Sequence, residues 1–408
     1  MKCGLLGRVL GHSYSPLIHS WLGDYPYDLY EKEPEELESF LRNGDFTALN
    51  VTMPYKKDVM AFMDELSPAA KKMGCVNTIV RRKDGSLYGH NSDYYGFVSL
   101  VKHSGIPVDG KKALVLGSGG ASNTAVNALR DLGAEPVVIS RSGENNYENL
   151  SLHRDASLIV NTTPVGMYPH TGIAPLDLRQ FPHLDGVLDV VYNPAKTQLL
   201  LDAEALGIPH ENGLWMLVAQ AKESAEYFTG KTLDDALIEA IYRKLRVQMQ
   251  SIVLIGMPGC GKSTIGAALA KHLSRPLVDA DEVITTLAGK SIPEIFAQGG
   301  EAVFRNWETK ALASLGNRSG LILATGGGCV TRETNYPLLH QNGTIFCLKR
   351  DLNLLPKEGR PLSLKNDLEA MYRLRKPLYE AFADFTIDNN GTPEATVNAI
   401  LTCLEETP

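Results

Sequence analysis

The chain has 408 residues, too many for one hydrophobic core, so two or three domains are expected. Its 44% apolar content is that of an ordinary folded protein, and its net charge of −7 argues against a nucleic-acid partner, which needs a basic surface. No window approaches the ~20 apolar residues of a transmembrane helix, and the N-terminal apolar patch, broken by Arg8 and His12, reads as a buried strand and loop rather than a signal peptide.

Strands and helices alternate almost throughout, which predicts an α/β fold of parallel sheets with crossover helices. A first strand spans Cys3–Leu6, and Ser15-Pro16 reads as an N-cap with proline at the first helical position. Ser13 and Ser15 place two hydroxyls just before that helix, where they either bind a carboxylate or only cap the helix. The strand Thr47–Val51 leads through Thr52 and Pro54 to Lys56, and hairpin arms flank Lys83-Asp84-Gly85. Asp93 follows the hairpin. A lysine and an aspartate brought together there form either a proton-transfer dyad or a structural salt bridge.

From residue 101 the pattern is strand, loop and helix: strands at Ala113–Leu116, Pro136–Ser140, Ser157–Val160 and Val187–Val190, then helices at Leu214–Thr229 and Leu233–Leu245. Between the first strand and a helix at Asn123–Leu132 lies Gly117-Ser118-Gly119-Gly120-Ala121-Ser122, a dinucleotide-type turn with serine in place of the third glycine. The second strand ends in Ser140-Arg141-Ser142 where an NAD-specific site offers an acid. A guanidinium and two hydroxyls suit a 2′-phosphate, which favours NADP. Arg246–Ser251 is the expected junction to a second α/β unit.

That unit opens with the strand Ile252–Ile255, the loop Gly256–Ser263 and a helix Thr264–Leu273. The loop fills every fixed position of the phosphate-binding Gly-x4-Gly-Lys-Ser. Backbone N–H groups from Gly259 through Cys260 and Gly261 to Thr264 converge on phosphate oxygens, Lys262 neutralises the β- and γ-phosphates, and Ser263 ligates Mg²⁺. The next strand runs into Asp279 and Asp281, one carboxylate for the metal and the other for an acceptor hydroxyl. Arg305 and Glu308 are three apart on a helix and can pair; beside a phosphate loop the arginine can serve a substrate carboxylate. The strand Leu321–Ala324 ends in Thr325-Gly326-Gly327-Gly328, where a ligand can approach the backbone closely. The six cysteines show neither pairing nor metal-ligand spacing and read as reduced cytosolic thiols.

Over residues 3–245 these segments resemble shikimate dehydrogenase. The resemblance rests on Ser13-Tyr14-Ser15, Asn50 to Lys56, Val76-Asn77-Thr78, Asn91-Ser92-Asp93, Asn161 to Met167, Asp189 to Pro194 and Asn212 to Gln220. It implies that Ser13, Ser15, Thr52, Asn77, Asp93 and Gln220 bind shikimate, and that Lys56 and Asp93 are catalytic. It implies that NADP lies along Gly117, Ser118, Gly119, Gly120, Ala121, Ser140, Arg141, Ser142, Thr162, Val190 and Gly213. The serine at position 15 favours shikimate over quinate. The family's second basic residue after Arg141 is missing, which softens the NADP preference, and Trp215 stands where the family often has proline. A substrate domain at 1–100, completed by 221–245, and a Rossmann NADP-binding domain at 101–220 are expected.

Residues 251–408 resemble shikimate kinase through Gly-x4-Gly-Lys-Ser, Asp279-x-Asp281, Gly300-Glu301-x2-Phe304-Arg305-x2-Glu308, Thr325 to Gly328 and the segment from Arg375 to Tyr379. The resemblance implies Asp279 near Mg²⁺, shikimate held by Asp281, Arg305, Gly327, Gly328 and Arg375, Asp281 as base, and Arg360 as the lid arginine over ATP. The segment Leu352–Gly359 is poor in arginine, with Lys357 a partial substitute. Together the halves imply a cytoplasmic bifunctional enzyme, monomer or homodimer. It would reduce 3-dehydroshikimate with NADPH and phosphorylate shikimate with ATP and Mg²⁺. The alternative, a non-catalytic metabolite-sensing regulator, should have lost its catalytic groups, and all are present.

Overall fold

The computed structural model describes residues 1–11, 13–355 and 365–406 of the chain. They divide into two compact units. One comprises 1–167, 173–192 and 199–245; the other comprises 168–172, 193–198 and the remainder from Arg246.

The first unit holds two sheets. Strands β1 (Cys3–Gly7), β2 (Tyr27–Glu31), β3 (Ala48–Val51), β4 (Glu65–Leu66), β5 (Thr78–Arg81) and β6 (Leu87–His90) form a six-stranded sheet in the order β2-β1-β3-β5-β6-β4. It is mixed rather than parallel: β5 runs antiparallel to both β3 and β6. The β5–β6 pairing follows from the tight turn at Lys83–Gly85, too short for a crossover, closed by the Arg82 N–H on the Ser86 carbonyl at 2.9 Å. Ser15 is not an N-cap. It is the first helical residue of Ser15–Leu22, and Ser13 Oγ accepts its N–H at 3.2 Å.

Strands β7 (Lys112–Leu116), β8 (Glu135–Ile139), β9 (Leu158–Asn161), β10 (Gly186–Asp189) and β11 (His210–Glu211) form an all-parallel sheet ordered β11-β10-β9-β7-β8. β7 and β9 are almost wholly apolar and buried, as central strands covered on both faces must be. The chain leaves β7 towards β8 and returns to β9 on the other side, so the ligand-binding crevice of such a sheet falls between the ends of β7 and β9. The helix Leu214–Thr229 lies along the helix Asp93–Ser104, with fully buried Val218, Ala221 and Ala225 in the core. A large apolar side chain fully buried in this way contributes about 1.5–3 kcal/mol. Gly96 permits the approach: a Cβ there would sit 2.8 Å from the Met216 carbonyl and 2.9 Å from Gln220 Cβ.

The junction expected at Arg246–Ser251 is mostly helical. The helix Ala236–Met249 continues through it because Ile238, Ile241, Leu245 and Met249 keep a buried stripe at helical spacing.

In the second unit, β12 (Ser251–Ile255), β13 (Leu277–Asp279), β14 (Ile322–Ala324), β15 (Gly343–Lys349) and β16 (Phe385–Asp388) form a parallel sheet ordered β13-β14-β12-β15-β16. Its core joins β12, β14 and β15 to helix residues such as Leu269, Leu312 and Ile400. The 25-residue helix Ile292–Gly316 is interrupted at Gly299 and at Gly300, whose φ is 65°. That break separates its first turns from the turns carrying Glu301, Arg305 and Glu308.

Candidate functional site

In the first unit, the turn after β3 begins with the Thr52 N–H on the Leu6 carbonyl (2.9 Å) and closes with the Tyr55 N–H on the Thr52 carbonyl (3.1 Å). It presents Lys56, whose Nζ donates to Asp93 Oδ2 at 2.7 Å; the two side chains are 29% and 14% exposed. Asp93 opens its helix, where the macrodipole favours a carboxylate. The pair is therefore sheltered yet reachable, as proton transfer to a bound substrate requires.

A buried polar network lies around the pair. Asn77 Oδ1 accepts the Ser92 N–H (2.8 Å), and its Nδ2 donates to Ser92 Oγ (3.0 Å), leaving one amide hydrogen for a ligand. Ser92 Oγ also reaches Gln220 Oε1 (3.4 Å) and Ser224 Oγ (2.9 Å). Asn50 Nδ2 donates to Ser224 Oγ (2.8 Å), and Asn50 Oδ1 accepts the Tyr27 hydroxyl (2.8 Å). Burial pushes the ionisation of the Tyr27 phenol well up, so it stays a neutral donor. Lys56 and Asp93 are thus paired, and Asn77 and Gln220 share one network with Tyr27, Asn50, Ser92 and Ser224, while Ser15 hydrogen-bonds through its N–H to Ser13. Sequence reasoning singled out none of these last four. Asn50 and Ser92 stood inside recognised segments; Tyr27 and Ser224 had no local signal.

At the crevice of the second sheet, Thr162 donates both its N–H (3.1 Å) and its hydroxyl to the Leu116 carbonyl (2.6 Å), joining the ends of β7 and β9 above Gly117. Ser122, where a third glycine was expected, is buried and donates Oγ to the Gly117 carbonyl at 2.7 Å, so the serine closes the turn itself. Ser118, Gly119 and Ala121 are exposed, and no atom lies within 4 Å of a Cβ built on Gly119. The loop and helix N-terminus are open to a phosphate group. Ser140 is tied back by its N–H to the Asn145 carbonyl (3.1 Å), while Arg141 and Ser142 are exposed. The Val190 N–H meets the Asn161 carbonyl (3.0 Å) and the Gly213 N–H meets Val191 (3.1 Å), which brings both backbones to the same sheet end.

In the second unit the phosphate loop takes backbone angles suited to glycine, with φ of 137° at Gly256, 83° at Gly259 and 102° at Gly261. Lys262, a residue 9% exposed, donates its ammonium to the Gly256 (2.9 Å) and Met257 (3.1 Å) carbonyls. Cys260 is buried, while Ser263 and Thr264 face solvent. Ser263 Oγ lies 3.3 Å from Asp279 Oδ2. The two oxygens suit a hard cation that draws its other ligands from phosphate and water. Among the described residues no cluster of three His, Cys, Asp or Glu could hold a metal alone.

Asp281 does not project from the strand end as expected. Asp279 caps the helix Ala280–Ala288, accepting the Asp281 N–H at 2.9 Å, and Asp281 sits in its first turn. Asp281 Oδ1 is buried without a hydrogen-bond partner. Burial, then the Asp279 charge, raises its pKa. The Arg305–Glu308 pair is a buried one: Nη1 donates to Glu308 Oε2 at 2.8 Å and Nη2 to Glu301 at 2.9 Å. Arg375 Nη1 donates to the Gly327 carbonyl (3.1 Å), as does the Tyr379 hydroxyl. A Cβ on Gly326 would be 3.2 Å from Asp281 Oδ1 and 3.0 Å from Glu308 Oε1, and one on Gly328 would overlap the Arg305 guanidinium. Asp281, Arg305, Gly327, Gly328 and Arg375 therefore form one cluster, with Glu308, Glu301 and Tyr379 as supports. Gly328→Ala is expected to push the guanidinium aside and lower kinase turnover about 100-fold, with NADPH oxidation unchanged; spectrophotometric assays of both activities check it. Arg360 and Lys357 lie outside the described residues. All six cysteines are free, and no described helix is long and apolar enough to cross a membrane.

Comparison with known proteins matches this geometry. The shikimate dehydrogenase substrate-binding domain profile matches residues 5–79. A shikimate dehydrogenase (NADP(+)) of Clostridium perfringens is 35% identical over 60% of this chain and 97% of its own length. The chain belongs to the shikimate dehydrogenase family. The shikimate kinase profile matches residues 258–405, so the dehydrogenase is fused to a kinase, and the chain is a bifunctional enzyme of the shikimate pathway. Among solved structures, shikimate dehydrogenase 1 of Peptoclostridium difficile is 36% identical with a TM-score of 0.56, over 60% of this chain and 97% of that one. The Thermus thermophilus shikimate 5-dehydrogenase in complex with NADP(H) and shikimate is 32% identical with a TM-score of 0.55, over 60% of this dehydrogenase–kinase and 99% of that chain.

Proposed function

We propose that the dehydrogenase part reduces 3-dehydroshikimate to shikimate and that the kinase part phosphorylates the 3-hydroxyl of shikimate. The assignment takes residues 1–100 with 221–245 as substrate domain, 101–220 as NADP domain and 251–408 as kinase domain. The sheltered Lys56–Asp93 pair is the observation that carries the first activity.

NADPH supplies a hydride when bound. The open loop Gly117–Ala121, Ser140, Arg141, Ser142, Thr162, Val190 and Gly213 would hold it. Ser13, Ser15, Thr52, Asn77 and Gln220 orient the acid. Lys56 donates the proton that the new alkoxide needs, and Asp93 holds the ammonium in place. Arg141→Ala is expected to raise the KM for NADPH about tenfold by removing a charge-assisted hydrogen bond, with the KM for NADH unchanged. Steady-state kinetics with both nucleotides check this.

In the kinase part, Gly259–Thr264 would cradle ATP, which supplies the phosphoryl group, with Mg²⁺ at Ser263 and Asp279. Arg305 and Arg375 bind the substrate carboxylate. Asp281 accepts the proton of the attacking hydroxyl, and its raised pKa suits that task. Lys262 neutralises charge on the phosphates. Purified chain supplied with 3-dehydroshikimate and NADPH, or with shikimate and MgATP, tests the reading: oxidation of NADPH in the first mixture and release of ADP in the second are expected.

A further inference from the structure

The phosphate loop follows β12, and Arg350 follows its neighbour β15. The chain leaves β12 for β13 and β14 on one side and comes back as β15 on the other. The carboxyl ends of β12 and β15 thus flank the point where strand order reverses, the place where open parallel sheets bind ligands. The loop occupies one lip of this crevice and Arg350 the other.

The placement is close. A Cβ on Gly261, the last loop residue before the helix, would lie 3.8 Å from Arg350 Nη1. Arg350 Nε is enclosed and has no hydrogen-bond partner, and no carboxylate pairs with the guanidinium among the described residues. The backbone beside it is fixed: the Asp351 N–H donates to Asn390 Oδ1 (2.8 Å) and the Asn389 N–H to the Lys349 carbonyl (2.8 Å). Asn389 Nδ2 in turn donates to the Cys260 carbonyl at 2.6 Å, so the arginine's strand is bolted to the phosphate loop itself. A cavity of about 130 Å³ opens there, lined by Gly256, Met257, Lys349, Arg350, Lys376 and Glu380 among others. Its lining carries three cations, Lys349, Arg350 and Lys376, and one carboxylate, Glu380, which lies 3.8 Å from the Lys376 ammonium.

We infer that Arg350 binds the phosphate chain of the nucleotide, supplying a cation from the end of β15. The inference rests on the ATP reading above and adds a residue that none of the recognised motifs includes. A fixed arginine whose buried Nε–H lacks an acceptor fits a polyanion better than it fits a purely structural role.

The test uses the full chain, as wild type, Arg350→Ala and Arg350→Lys. Binding of MgADP is measured by calorimetry, and initial rates are measured against ATP and shikimate separately. For Arg350→Ala, the MgADP Kd and the KM for ATP should each rise about tenfold, with the KM for shikimate within twofold of wild type. Arg350→Lys should recover part of the loss. If the alanine chain does not fold, Arg350→Gln takes its place. A Kd and a KM for ATP both within twofold of wild type overturn the proposal. If wild type binds MgADP but does not phosphorylate shikimate, the kinase reading fails and the calorimetry still decides the role of Arg350.

Discussion

Lys56→Ala is expected to lower NADPH-dependent reduction of 3-dehydroshikimate by about a thousandfold, within the range a positioned proton donor supplies, and to leave ADP release with shikimate unchanged. The expectation follows from the contact of Lys56 Nζ with Asp93 Oδ2 at 2.7 Å and from the shelter around it. A lysine serving only to bridge two segments would show its loss as a lower melting temperature with much of the activity retained. Circular dichroism melting and stopped-flow NADPH oxidation on the same preparation separate these cases. A variant retaining more than a tenth of wild-type turnover would refute the catalytic role.

Asp281→Asn is expected to abolish phosphoryl transfer by about 10²–10⁴-fold while stabilising the protein at neutral pH. Both effects have one origin. Burial and the Asp279 charge raise the Asp281 pKa above the ordinary 3.8 of the unfolded chain. Between 3.8 and the raised value the folded state holds the proton more tightly than the unfolded one, so stability falls as pH rises through that window and stays reduced above it. An amide carries no such cost. The melting temperature of Asp281→Asn at pH 7–8 should therefore equal or exceed that of wild type, and the acid limb of wild-type kinase kcat/KM should lie above pH 3.8. A variant that melts lower than wild type and keeps its kinase activity would contradict both statements.

The two glycine loops were legible because their chemistry is local. Strand, glycine turn and helix are contiguous in sequence, and the helix N-terminus makes the anion site. Arg305 and Glu308 were legible as a helical pair, but their burial was not, since it depends on Gly326–Gly328 folding back over them. The Lys56–Asp93 contact joins residues 37 apart and needs the hairpin of β5 and β6 between them. Motif resemblance located both residues; spacing alone made a plain salt bridge the commoner guess. Tyr27 and Ser224 escaped notice because a single hydroxyl on an element of mixed polar and apolar residues has no pattern of its own; only the packed sheet and helix bring them to Asn50. Ser122 read as a defect in the dinucleotide turn, and its repair, a hydroxyl on the Gly117 carbonyl, is visible only in three dimensions. Asp281 was misplaced because a strand ending in Asp-x-Asp gives no sign that its first aspartate caps a helix containing the second.

The central claim is that one polypeptide carries two independent sites for the same carboxylated ring. The direct measurement supplies wild-type chain with 3-dehydroshikimate, NADPH and MgATP and follows all products by phosphorus NMR and NADPH absorbance. One shikimate 3-phosphate for each NADPH oxidised is the expected result, with Lys56→Ala leaving NADPH unconsumed yet still phosphorylating shikimate that is supplied directly. Shikimate that accumulates unphosphorylated while ATP remains, or no NADPH consumption at all, would contradict the account.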